Sequence, residues 1–218
     1  MTILPPSAGW GEDEGPGGAV GQVARQVAHD LNNVLTVIMG NLQLAERHAA
    51  GNPKLLRLLG NIRLAAERGS ALSGKLMAHA GAEPGTLYGA CEEAAGPPAS
   101  NLVMVVEDDP QVAEVAQEVL SDMGLRVELH GDAPSALAAL RGGRDYALVF
   151  SDIVMPGGMS GIDLAEAIVA AFPSLPVLLA TGFSTAALSP NAMRFPVLAK
   201  PYSVQELTRR VRQMLPGL

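Results

Sequence analysis

The chain has 218 residues, 48% of them hydrophobic, and a formal net charge of −7. That length holds one large or two small domains with a real core, and the acidic balance argues against a general nucleic-acid binder. A single cysteine, Cys91, excludes an internal disulfide framework and fits a reducing compartment. No apolar run reaches the roughly 20 residues that span a bilayer. Residues 1–18 carry no Lys or Arg, so they lack the charged start of a secretory signal. A cytoplasmic protein with neither membrane nor nucleic-acid contact is expected.

Residues 1–18 are rich in Gly, Pro and acid and have no period, which predicts a disordered N-terminus. From Ala19 to Ala49 apolar residues recur every three or four positions: Val20, Val23/Ala24, Val27, Leu31, Val34/Leu35, Ile38, Leu42 and Ala45. That is one face of a long amphipathic helix. Gly51-Asn52-Pro53 breaks it. Asn52 suits the cap of a second helix and Pro53 its first turn. The second helix carries Leu55/Leu56, Leu59, Ile62, Ala65/Ala66, Gly69, Leu72 and Leu76. Two antiparallel helices of about 30 residues would each be ~45 Å long. A lone hairpin of that length cannot cover its own apolar stripe, so residues 19–80 are expected to form a homodimeric four-helix bundle.

Residues 81–100 hold four Gly and three Pro and read as a linker. Beyond them, in residues 101–218, short apolar runs alternate with helical segments near 110–123, 132–141, 161–171 and 203–215, with a shorter segment near 183–190. Continuous apolar strands between helices predict an α/β fold with a parallel sheet covered on both faces. Ligands bind such sheets at the carboxyl ends of the strands. Four runs end there in chemistry. Leu102–Val106 leads to Glu107-Asp108-Asp109-Pro110, and Tyr146–Ser151 leads to Asp152. Pro176–Ala180 leads to Thr181-Gly182, and Pro196–Ala199 leads to Lys200-Pro201. Carboxylates, a hydroxyl and an ammonium on one edge can hold a divalent cation and a phosphoryl group.

These four motifs, in this order, resemble the response-regulator receiver domain over residues 101–218. The resemblance implies a flavodoxin-like, five-stranded sheet of order 2-1-3-4-5. It implies Asp152 as phosphoacceptor and Mg²⁺ (or Mn²⁺) held by Asp108, Asp152 and the Val154 carbonyl, with Glu107 acting through water. Crowded carboxylates repel, and a hard cation relieves that repulsion. Lys200 would pair with the carboxylate or phosphoryl group, Thr181 would turn its hydroxyl to the phosphoryl group, and the small Gly182 would leave the entrance open. The loop from Met155 to Gly161 is one residue longer than the shortest family form. The stretch from Thr181 to Lys200 is short, and Val197 stands where many receivers place an aromatic switch residue.

The first helix contains Ala28-His29-Asp30-Leu31-Asn32-Asn33. His29 is two residues from both Val27 and Leu31, so it lies off the apolar seam. Gln22, Gln26, His29, Asn33 and Thr36 form a polar stripe at helical steps. An exposed imidazole there can attack a phosphoryl group, with Asp30 fixing its tautomer. Asn33, one turn on, can orient a water. The segment resembles the phospho-accepting box of sensor histidine kinases, and residues 65–72 resemble the partner helix of that module. The resemblance implies that residues 19–80 are a dimerisation and histidine-phosphotransfer hairpin with His29 as phosphoacceptor.

A kinase of that type has an ATP-binding domain after the second helix, and residues 81–100 are too few for one. The expected function is therefore a two-component phosphorelay protein that passes a phosphoryl group between Asp152 and His29, with no ATP-dependent autophosphorylation of its own. Histidine kinases and response regulators are the expected partners. Two alternatives are a phosphatase of a partner phospho-receiver, using Asn33 and Asp30, and a non-catalytic adaptor that binds or mixes with a histidine kinase. The hairpin carries seven bases and three acids, the receiver-like part eight bases and thirteen acids. Opposite signs favour docking between them.

Overall fold

The computed structural model describes residues 16–79, 100–155, 158–182 and 194–216. The expected linker up to residue 99, most of the expected disordered N-terminus, Cys91, the expected short helix near 183–190 and residues 156–157 of the Met155-to-Gly161 loop lie outside the described residues. Two long helices come first, α1 (Pro16–His48) and α2 (Pro53–His79). They run antiparallel. Leu35 packs over Gly69, and Ser73 donates to Asn32 at 2.9 Å. Asn52 caps α2 as its position predicts, its side-chain oxygen accepting from the Leu55 N–H at 3.1 Å.

The rest alternates strand and helix: β1 (Leu102–Val106), α3 (Pro110–Asp122), β2 (Arg126–His130), α4 (Ala133–Arg141), β3 (Leu148–Asp152), α5 (Gly161–Ala171), β4 (Val177–Thr181), β5 (Val197–Ala199) and α6 (Val204–Met214). All pairings are parallel and the order is β2-β1-β3-β4-β5. Successive strand residues point to opposite faces. Val103, Val105, Phe150, Leu178 and Leu198 therefore share one core layer with Leu120, Leu207 and Val211. Met104, Val106, Val149, Leu179 and Val197 share the other with Leu140, Leu164 and Ile168. With both faces covered, the central strands are apolar throughout.

The strand β2 has no continuous apolar run to announce it. It is an edge strand, half exposed, with Arg126, Glu128 and His130 alternating along it. The register aligns the other four strand ends. Val106 pairs with Ser151, Asp152 with Ala180 and Thr181 with Ala199.

The hairpin departs from expectation in what it covers. Much of the predicted seam faces solvent: Val23, Val27, Leu31, Val34 and Ile38 on α1, and Leu55, Ile62 and Leu72 on α2. The later part of the polar stripe is what becomes buried, while Gln26 stays exposed. His29, Asn33 and Thr36 are each 6% exposed or less because α1 lies across the carboxyl edge of the sheet. Among the described residues, no helix is long and apolar enough to cross a membrane.

Candidate functional site at the carboxyl edge of the sheet

Each acid arrives by a separate local device. Glu107 follows β1, and its N–H donates to the His130 carbonyl of β2 at 2.9 Å. Asp108 comes next and is exposed. Asp109 turns its side chain to cap α3, accepting from the N–H of Gln111 at 2.9 Å, so it leaves the cluster. Asp152 closes β3 and is 1% exposed. Its Oδ1 accepts from the Val154 N–H at 3.2 Å, which fixes the carboxylate plane. Thr181 is fully buried at the end of β4, and its carbonyl accepts from the Lys200 N–H at 2.7 Å. That bond sets Lys200 just beyond β5, before a cis Lys200–Pro201 peptide.

Lys200 is the centre of the cluster. Its Nζ donates to Glu107 Oε2 and to Asp152 Oδ2, both at 2.7 Å, and to Asn33 Oδ1 at 3.2 Å. Burial acts to lower the Lys200 pKa, but the two carboxylates outweigh it and raise it. Burial acts to raise Asp152, yet His29 and Lys200 hold it below its ordinary range. Glu107 goes the other way. Burial pushes it up to about 7 in spite of Lys200. Burial also raises Asp108.

Glu107, Asp108 and Asp152 each offer an oxygen, and these atoms lie within 4.8 Å of one another. The buried Glu107 Oε1 makes no hydrogen bond. A buried carboxylate oxygen without a partner, beside two further hard oxygen donors, fits a small divalent cation. The sequence-predicted ligands are thus brought together, with Val154 held two residues past Asp152.

The predicted histidine also comes to this edge. His29 Nε2 stands 3.7 Å from Asp152 Oδ2, the same oxygen that Lys200 holds. The Asp152 carboxylate raises the His29 pKa above 6.5 against the effect of burial. On the far side of the ring, Nδ1 lies 3.5 Å from Asp30 Oδ1. Asp30 itself is exposed and accepts from Gln26 at 2.9 Å. The expectation of a solvent-facing imidazole is corrected: His29 is 6% exposed, since the receiver-like part covers it. The open entrance expected at Gly182 is covered too. A Cβ there would meet His29 Cδ2 at 3.4 Å. The predicted water-orienting Asn33 instead turns its oxygen to Lys200.

Sequence reasoning missed Asn32. Its Nδ2 donates to the Gly182 carbonyl at 2.7 Å, and its Oδ1 accepts from Ser73 of α2 at 2.9 Å. It ties both helices to the turn after β4. Only its place beside Asn33, one turn past His29, hinted at a role.

Residues 103–212 match the family described as the response regulator receiver domain. Over 118 residues the chain is 34% identical to the probable transcriptional regulatory protein TcrX of Mycobacterium tuberculosis, covering 52% of this chain and 49% of that protein. It is 33% identical over 119 residues to the C4-dicarboxylate transport transcriptional regulatory protein DctD of Rhizobium meliloti, covering 53% of this chain and 25% of that one. The chain therefore spans about half or less of the length of these curated relatives. Among solved structures it is similar to the response regulator protein TrrA from Thermotoga maritima in complex with Mg(2+)-BeF. The identity is 27% and the TM-score 0.49, covering 52% of this chain and 98% of that one.

Proposed function

The chain belongs to the response regulator receiver family through residues 103–212, and on that premise we propose that it is a phosphorelay protein in which Asp152 and His29 exchange a phosphoryl group. The observation that carries this reading is the 3.7 Å approach of His29 Nε2 to Asp152 Oδ2, with Lys200 on the same oxygen.

Membership supports reading Asp152 as the phosphorylatable aspartate and implies exchange with a histidine kinase or another phosphodonor. Receiver domains bind Mg²⁺ at this acidic pocket. Here Glu107, Asp108 and Asp152, with the Val154 carbonyl, are the residues to hold it, and when bound it supplies neutralisation of the phosphoryl oxygens. The chain's own residues do the rest. Asp152 Oδ2 carries the phosphoryl group as an acyl phosphate. The lone pair on neutral His29 Nε2 attacks phosphorus, the P–N bond forms, the P–O bond to Asp152 breaks, and the electron pair returns to the carboxylate. Lys200 stabilises that carboxylate as it leaves. Asp30 accepts from Nδ1–H, which keeps the lone pair on Nε2. The loose transition state needs the two atoms further apart than they stand at rest, so α1 must ease outward during transfer. The reverse step uses the same groups.

Residues 19–80 serve in this reading as the histidine-phosphotransfer and dimerisation hairpin, and residues 101–218 as the receiver. The exposed stripe on both helices is the surface on which a second copy would close a four-helix bundle.

The test is label transfer. The chain is incubated with labelled acetyl phosphate and Mg²⁺, and the acid and base stability of the label is followed. Base-labile label on Asp152 should give way to acid-labile, base-stable label on His29. Asp152→Ala should take up no label, and His29→Ala should retain only the base-labile form. Identical label in wild type and His29→Ala would remove the relay.

A further inference from the structure

We propose that one face of α1, from His29 to Arg47, is a recognition face for the receiver of this same chain, and that Gly40 is the residue that lets the two surfaces meet. The face is read from contacts. Asn32 donates to the Gly182 carbonyl and Asn33 accepts from Lys200. Gly40 lies on Val115 of α3. Gln43 Oε1 accepts from the Val204 N–H at 2.7 Å. Arg47 pairs with Asp122, at the end of α3, at 2.7 Å. The helix positions are 29, 33, 40, 43 and 47, all on one stripe at steps of three, four and seven. The receiver side is built from the ends of β3, β4 and β5, the outer face of α3 and the start of α6.

The contacts differ in what they contribute. The Arg47–Asp122 pair is half exposed on both sides, so it sets register more than strength. Gln43 satisfies an N–H in the first turn of α6, where no intrahelical partner exists. At Gly40 the helix backbone itself reaches the receiver. A Cβ there would overlap Val115 Cγ1. Val115 is buried and β-branched, so it has little freedom to turn aside. A glycine in mid-helix weakens the helix. Its presence at this contact is accounted for by the close approach.

This inference deepens the relay reading by naming the partner of His29, and it rests on that reading only for the label readout. Full-length wild type, Gly40→Ala, Val115→Ala and the double variant are compared in two ways. The first is amide hydrogen exchange along α3. The second is the rate at which label moves from Asp152 to His29. Since transfer follows the docked population, Gly40→Ala should slow it about tenfold and raise exchange along α3. The double variant should recover both, because the smaller residue on α3 makes room. Alanine is the better helix former, so failure of α1 to fold does not account for the loss. A third sample mixes His29→Ala chains with Asp152→Ala chains, so that transfer must cross between copies. It should be slow and dependent on concentration.

Gly40→Ala with unchanged exchange and transfer overturns the proposal. So does a mixture that matches wild type. If wild type never labels His29 while exchange along α3 rises and recovers as stated, the relay fails and the recognition face stands.

Discussion

Lys200 shows how much one side chain carries at this edge. It is fully buried and is the only cation that touches both Glu107 and Asp152 among the described contacts. Removing one member of a buried ion cluster leaves uncompensated charge, which typically costs roughly 3–5 kcal/mol. Lys200→Met should fall at the lower end by urea unfolding at neutral pH, because Glu107, already raised to about 7, can take up a proton. Mg²⁺ should restore part of the loss. Tyr202 makes the opposite case. It packs edge-on against Phe150 with centroids 5.8 Å apart, but its buried hydroxyl makes no hydrogen bond. Burial holds its pKa well above 10. A polar group without a partner in the core is a net cost. Tyr202→Phe should therefore leave the melting temperature unchanged or raise it, and a clear drop would mean that the hydroxyl has an essential partner.

At the level of elements, helix ends decide where the site residues stand. The helix α5 starts beside Asp152, and its N-terminus is fixed by a reciprocal capping box between Ser160 and Asp163. The Ser160 hydroxyl, then its backbone N–H, holds the Asp163 carboxyl below its ordinary 3.8. A carboxyl whose folded value is depressed adds stability above its unfolded value, and that stability is lost as pH falls through the folded value. Ser160→Ala should cost about 1 kcal/mol at neutral pH. The difference from wild type should shrink as pH drops below 3.8, read by thermal melting at each pH. This level was also the most legible in the sequence. Helices α3 to α6 fall within a residue or two of their expected ranges, and β1, β4 and β5 sit where continuous apolar runs put them, because burial on both faces leaves an unbroken signal. The edge strand β2 escaped notice because its charged, half-exposed positions carry no such run.

For the whole molecule, the sequence offered both candidate groups and a charge balance that favours docking, but not that docking within the chain buries the imidazole. The spacing of His29, Asn33 and Thr36 marked a polar face, and nothing local says whether such a face meets water or another surface. The exposed seam is the complementary case. Val27, Leu31, Val34 and Ile38 follow alternating steps of four and three, the pattern of a coiled-coil seam. A homodimer through this stripe should be separable from docking. Val34→Glu should shift the protein from dimer to monomer by light scattering, while hydrogen exchange along α3 stays as in wild type. A variant that remains dimeric, or a wild type that is monomeric, would show that the stripe does not join copies.

At 100° per residue, positions 27, 34 and 38 lie on the far side of α1 from positions 29, 40 and 43. In the proposed relay a single helix would thus make two choices on two independent surfaces. Under selection, a duplicated gene would be free to change which copies it assembles with while its imidazole stayed loyal to the same aspartate. It would be equally free to rewire its signalling while keeping its assembly partner. Crosstalk between paralogues would then be governed by a handful of positions around Gly40.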